Sequence, residues 1–139
     1  RYHSVSNGLA EIKVDEALVA VHDGVRPFVS VKTIADTFVE AEKSGAAVPV
    51  IECVDSVREV DNVSKESFAK ERAALRLVQT PQTFRLSILR KAYSLPYTPF
   101  FTDDASVVEA VGEKIVLTSG NRENIKITTS FDLKIAEVL

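Results

Sequence analysis

The sequence predicts an α/β protein built on a mostly parallel sheet, and three observations lead there. The short apolar runs Ala17–Val21 and Ala46–Val50 read as strands buried on both faces. The stretch between them carries apolar residues at helical spacing. Strand-like and helix-like segments then alternate along almost the whole chain, the order that gives parallel sheets covered by helices.

The elements follow in turn. Ser4–Ile12 reads as a helix, with Val5, Leu9 and Ile12 on one face. The strand Ala17–Val21 is broken by Asp23-Gly24, and Arg26-Pro27 continues the loop. Ser30 is placed to cap a helix whose face carries Val31, Ile34, Ala35, Phe38 and Val39, and which Gly45 ends. The run Ala46–Val50 is the next strand. From Ile51 to Arg72 the character changes. Val54, Ser56, Arg58 and Val60 fall on one side of a strand and Asp55, Val57 and Glu59 on the other, and neither side is cleanly apolar. This pattern predicts an arm or hairpin that leaves the main body, with its turn near Asp61-Asn62 and Leu75–Val78 returning as a strand. Phe84–Tyr93 reads as a helix with Leu86, Leu89 and Tyr93 on one face. Thr102 is expected to cap the following helix, with Asp103 and Asp104 in its first turn, where the helix dipole favours carboxylates. Gly112 closes it. Lys114–Thr118 alternates toward a strand. Thr129 with Asp132 resembles a capping box, ahead of a face formed by Phe131, Ile135, Val138 and Leu139. Neither an internal repeat nor a low-complexity segment is present.

The 139 residues fit one domain or a large piece of one, and the 45% apolar content is enough for a core. With 27% charged residues, a net charge of -3 and no basic run, nucleic acid is a poor partner. An anionic ligand would have to be held by a few placed cations. No apolar run approaches the roughly 18 residues of a membrane span, and no signal peptide is evident. Cys53 is the single cysteine, which excludes an intrachain disulfide and suits a reducing cytoplasm. The first residue is Arg1 and the sequence contains no Met, so a fragment is expected.

Four segments can carry chemistry, and each also has a plain structural reading. Val21–Pro27 follows a buried strand directly, and ligands of open α/β sheets sit beyond the carboxyl ends of strands. There Asp23 can hold a hydroxyl or sit near a metal, and Arg26 can fork onto a phosphate. An Asp turn with a structural salt bridge accounts for the same residues. Asn124–Thr129 places Lys126 just before a helix N-terminus, a position suited to anions, although a solvated lysine is the simpler account. Gln79-Thr80-Pro81-Gln82, with Arg72 upstream, is a rigid turn or simply a loop. Thr102-Asp103-Asp104 can bind metal or polarise water, but helix-start acids explain it better. His3 and His22 have no acid, Ser or Cys partner at a telling spacing. P-loop, dinucleotide-type glycine and zinc patterns are all absent.

Together VHDGVRPF, QTPQTF, TDDASVVEAVG and NIKITT-x-x-DL, in that order, resemble the 2-C-methyl-D-erythritol 4-phosphate cytidylyltransferase family, and RYHSV resembles its R-x-x-S-V segment. The resemblance spans nearly the whole chain. It implies a Rossmann-like nucleotidyltransferase fold, with residues 1–139 as one partial domain and a dimerisation arm at about 51–78. It also implies a homodimer and a magnesium-dependent reaction of isoprenoid precursor synthesis. In that reaction the substrate phosphate attacks the α-phosphorus of CTP and pyrophosphate leaves. Such chemistry needs two polyanions held in line and neutralised, not a nucleophilic side chain.

By resemblance, Asp23 and Arg26 face the polyol phosphate, and Gly24 stands for a small residue beside the nucleotide. Ser4 falls on the serine near the cytidine. Ser56 lies in the arm, where the family often has Thr. Arg72 matches an arm arginine that reaches the phosphate in the partner subunit's site. Thr80 matches the Thr of the TPQ turn, and Lys126 the lysine that positions the attacking phosphate. No residue is assigned to metal, since magnesium is expected to come mainly with the CTP phosphates. The family's N-terminal glycine-rich loop and first strands have no counterpart in these residues. The chain is therefore expected to be a C-terminal part that keeps much of the polyol phosphate side and is inactive alone. Ribitol 5-phosphate cytidylyltransferases share QTPQ- and KITT-like segments and remain an alternative, as does a non-catalytic phosphate-binding or dimerisation module.

Overall fold

A computed structural model describes residues 1–139. In chain order the elements are α1 (Tyr2–Glu11), β1 (Leu18–Val21), α2 (Val31–Ser44), β2 (Ala46–Glu52), β3 (Val57–Val60), β4 (Ser67–Lys70), β5 (Arg76–Val78), β6 (Gln82–Arg85), α3 (Leu86–Ala92), α4 (Asp104–Glu109), β7 (Val116–Ser119) and α5 (Ser130–Ala136). No helix is long and apolar enough to cross a membrane.

The main sheet is mixed. The apolar runs β1 and β2 share a direction with β7, which pairs parallel to β2 from Ala47↔Val116 to Val50↔Ser119. The expectation of a mostly parallel sheet holds for these three strands. β5 and β6 run against them, and β6 is inserted between β1 and β2. Both β5 and β6 lie along the edge of β2 opposite β7. Their register against β2 slips by two residues between Thr83↔Ala47 and Val78↔Val50, so Gln79, Thr80 and Pro81 bulge out between them. The Thr80-Pro81 peptide is cis.

The residues Gln82–Arg85 correct the sequence reading, in which Phe84 opened a helix. They form a strand, and α3 starts at Leu86. Phe84 is fully buried in a core with Leu9, Ala46, Val48, Leu86, Leu89, Ala92, Ala105, Val107 and Val108. Its neighbour Thr83 points to the other face, where its hydroxyl donates to Thr37 of α2 at 3.0 Å. Helices α1, α3 and α4 therefore cover one face of the sheet and α2 the other.

Local signals fix both ends of α2 and the starts of α4 and α5. The Ser30 side chain accepts from the Thr33 N–H and caps α2, and Gly45 closes the helix at φ 93°. A Cβ on Gly45 would also lie 2.6 Å from Ile88 Cδ1. The capping box of α5 pairs Thr129 with Asp132, as its spacing predicts. The cap of α4 is Asp103 and not Thr102, because Asp103 accepts from the Ser106 N–H while the Ser106 hydroxyl answers its backbone. Asn124–Thr128 is an extended loop without strand pairing. The predicted hairpin between Ile51 and Arg72 is made by β3 and β4, which pair only with each other. Asp61 turns it by accepting from the Val63 and Ser64 N–H groups at 2.8 and 2.7 Å.

Candidate active site

Three segments meet at the rim where β1, β2 and β7 end: the loop after β1, the bulge between β5 and β6, and the loop after β7. This rim is the usual ligand position of an open α/β sheet. They enclose a cavity of about 280 Å³ lined by Arg1, Asp23, Arg26, Val78, Gln79, Thr80, Gln82, Thr102, Asp103 and Lys126. Four residues singled out in the sequence, Asp23, Arg26, Thr80 and Lys126, are thus brought together from three distant segments.

Asp23 is the hub. Its carboxylate is 2.5 Å from Arg1 Nη1, 3.3 Å from Arg26 Nε and 3.2 Å from Lys126 Nζ. Burial alone would raise its pKa. The Lys126 hydrogen bond, the Arg1 and Lys126 charges and the Arg26 hydrogen bond together outweigh burial, and hold it below the usual aspartate value. Arg26 Nη1 donates to the Asn124 carbonyl at 2.8 Å, and its Nη2 has no protein partner. Lys126 makes its one ion pair with Asp23 and is half exposed. Both cations therefore keep donors free for an incoming anion.

His22 ties two of the segments together. A ring protonated on Nε2 donates to the Arg26 carbonyl at 3.0 Å and accepts on Nδ1 from the Thr80 hydroxyl at 2.9 Å. The same hydroxyl oxygen accepts from the Asp23 N–H at 3.0 Å. Thr80 lines the cavity with its hydroxyl already engaged in holding the Asp23 loop.

Sequence reasoning missed Arg1 and the support behind it. Arg1 bridges Asp23 and the buried Asp104, which also accepts from the Tyr93 hydroxyl at 2.6 Å. Burial raises the Asp104 pKa against the opposing pull of Tyr93 and Arg1. Burial and the neighbouring carboxylate push that of Tyr93 up. The ring of Tyr2 stacks on Tyr93 with centroids 4.7 Å apart. Helix-start acids gave no local sign that Asp104 would meet a residue at the other end of the chain.

The other expected residues stay apart from this cavity. Ser4 is exposed on α1, and Gly24 is exposed in the β1 loop. Ser56 is exposed just before β3. Arg72 is exposed, donates to the Val54 carbonyl at 2.6 Å and lines a different cavity with Glu52, Cys53 and Arg76. A single copy of the chain does not carry Ser56 or Arg72 to Asp23.

No three His, Cys, Asp or Glu side chains converge as a metal cage, and the cavity's hub carboxylate is held by three cations. These residues do not make a ligand set for the magnesium ion that the resemblance implies. What they offer is a cationic cradle with one carboxylate, suited to a phosphate on a hydroxylated carrier.

A helix-covered sheet whose strand ends gather such a cradle defines an α/β protein with an anion-binding site at the carboxyl ends of its strands. The 2-C-methyl-D-erythritol 4-phosphate cytidylyltransferase family matches residues 1–139, and the chain belongs to it. A protein of that name from Phocaeicola vulgatus is 55% identical over 139 residues, covering 100% of this chain and 62% of its own length. The Bacteroides fragilis protein of that name is 52% identical with the same coverage. Among solved structures, the Thermus thermophilus enzyme of that name superposes with a TM-score of 0.85 at 36% identity, covering 99% of this chain and 67% of its own. The 4-diphosphocytidyl-2C-methyl-D-erythritol synthase of Anaerococcus prevotii gives 0.89 at 30% identity, covering 99% and 63%. This chain spans about 62% of the length of the curated relatives it matches.

Proposed function

We propose that the protein transfers the cytidylyl group of CTP to 2-C-methyl-D-erythritol 4-phosphate and releases pyrophosphate, a step of isoprenoid precursor synthesis. The observation that carries this reading is the convergence of Arg26 and Lys126 on Asp23 at the strand ends, in a chain of this family. The free donors of Arg26 and Lys126 hold the polyol phosphate, and Asp23 accepts from a hydroxyl of its carbon chain. An oxygen of that phosphate then forms the new bond to the α-phosphorus of CTP. The bond from the α-phosphorus to the bridging oxygen breaks, and pyrophosphate leaves with the electron pair. Lys126 steers the attacking oxygen and offsets its charge. Between them Asp23 and the polyol phosphate take up Arg1, Arg26 and Lys126, which leaves the triphosphate without a cationic clamp among these residues, and residues 1–139 alone are expected to show no turnover. Ser4 and Gly24 are assigned to the nucleotide side. Magnesium is expected to arrive with the CTP phosphates.

The family match favours methylerythritol phosphate over ribitol 5-phosphate as the acceptor. The test is pyrophosphate release by the purified natural full-length polypeptide, with CTP and each polyol phosphate in turn. Turnover with methylerythritol phosphate at least about a hundredfold above ribitol 5-phosphate is expected, a discrimination within reach of differential binding. Equal use of both, or use of neither, would refute the assignment.

The same reading makes the β3–β4 hairpin a dimerisation arm that carries Ser56 and Arg72 into a partner's site. The hairpin rests on no other strand, and its Val60, Val63 and Phe68 are exposed. Sedimentation is expected to give a dimer, and Arg72→Ala to raise KM for the polyol phosphate roughly tenfold, the usual value of one charge-assisted hydrogen bond. A monomer at high concentration, or unchanged kinetics in the variant, would speak against the arm.

A further inference from the structure

The sequence singled out Gln79 only as part of a rigid turn. Its side chain is buried, 4% exposed, in the wall of the cavity. The amide Nε2 donates to the Asn121 carbonyl at 2.9 Å and to the Asn124 carbonyl at 3.3 Å. Its Oε1 accepts from the Asn121 N–H at 3.3 Å and lies 3.5 Å from Asn124 Nδ2. One side chain of the bulge thereby fills both hydrogen-bonding directions of the loop that leads to Lys126. The Asn124 carbonyl it touches is also the acceptor of Arg26 Nη1, and Asn124 Nδ2 returns a bond to the Thr80 carbonyl at 2.9 Å.

Gly120 supplies an independent sign that this position is specified. A Cβ there would collide with Gln79 Oε1 and stand 3.2 Å from the Val50 carbonyl. The chain leaves out a side chain where the Gln79 amide must enter. Stability alone accounts poorly for such a network. A buried polar cluster can often be replaced by apolar groups of the same shape at little cost, and this one leaves Asn124 Oδ1 buried without a partner.

We propose that Gln79 is a positioning residue of the polyol phosphate site: its amide locks the Lys126 loop against the Arg26 loop and so sets the spacing of the two cations. The proposal rests on the functional reading above. The backbone bond from the Ile127 N–H to the Val25 carbonyl, 2.9 Å long, closes the same two loops and reports on their union.

The test is a double-mutant cycle in the natural full-length polypeptide with Gln79→Ala, Gly120→Ala and both together. Each single change is expected to raise KM for methylerythritol phosphate about tenfold, with KM for CTP within about twofold. The pair should do no worse than Gln79→Ala alone, because Gly120→Ala acts by displacing an amide already removed. Hydrogen exchange at the Ile127 amide should quicken in all three. Should the wild-type polypeptide use no polyol phosphate, the functional reading fails by itself, and exchange at Ile127 then decides the lock alone. Multiplying effects, equal losses for both substrates, unchanged exchange, or unfolding of all three variants would overturn the proposal.

Discussion

Lys126→Met is expected to lower kcat/KM for cytidylyl transfer by about a hundredfold, while folding stability stays within about 0.5 kcal/mol. The two halves of this expectation have separate causes. The Lys126 side chain is 47% exposed, and its one ion pair is with Asp23, which keeps Arg1 and Arg26 as partners. Its removal therefore strands no buried charge. In the proposed reaction the same ammonium faces the phosphate oxygen that attacks, where negative charge must be held against the approaching triphosphate. A fixed donor at such a position counts for more in the transition state than in the ground state. Lys126→Arg keeps the charge and should lose much less. Steady-state kinetics with both substrates, beside urea unfolding, checks the pair of claims. A methionine variant within about threefold of wild type would remove Lys126 from the chemistry.

Arg26 is the less informative target, although it lies as close to Asp23. It also donates to the Asn124 carbonyl, so Arg26→Ala would loosen the loop and remove the cation at once. A loss of activity there would not separate positioning from charge.

The parts of the fold legible in the sequence are those decided locally. Ser30 and Gly45 bracket α2 and Thr129 caps α5 because capping depends on residues within one turn. The run that became β2 was visible because both faces of a strand inside the sheet demand apolar side chains, whereas β1, read the same way, is a half-buried edge strand paired only with β6. β6 hid itself. Gln82 and Thr83 are buried, yet polar, and long-range bonds satisfy them: Gln82 to Asp103 and to the Ala105 N–H, Thr83 to Thr37. A strand that meets its burial through distant partners shows no periodicity to find.

The candidate site divides the same way. Asp23, Arg26 and Lys126 stood out because motifs at strand ends carried them. Arg1 with Asp104, and Gln79 with Gly120, Asn121 and Asn124, are meetings of residues far apart in the chain. Nothing in the sequence around Gly120 says that a glutamine from another segment must fit there.

Phe84→Ala should be the most destabilising single change, costing about 3–5 kcal/mol. Phe84 is fully buried in the strand that joins β1 to β2, paired with Val19 on one side and Ala46 on the other. Its ring sits among Val48, Leu86, Leu89 and Val108, drawn from the sheet and from two helices. Truncation would leave a cavity bounded on several sides by backbone in hydrogen-bonded elements, which can collapse only partly. Phe100 gives the matched control: it is 87% exposed, and the same change there should stay within about 0.5 kcal/mol. Urea unfolding of both variants reads the difference directly. If Phe84→Ala cost no more than Phe100→Ala, β6 would not be the central antiparallel strand. The rim that brings Thr80 beside Asp23 would then lose its structural basis.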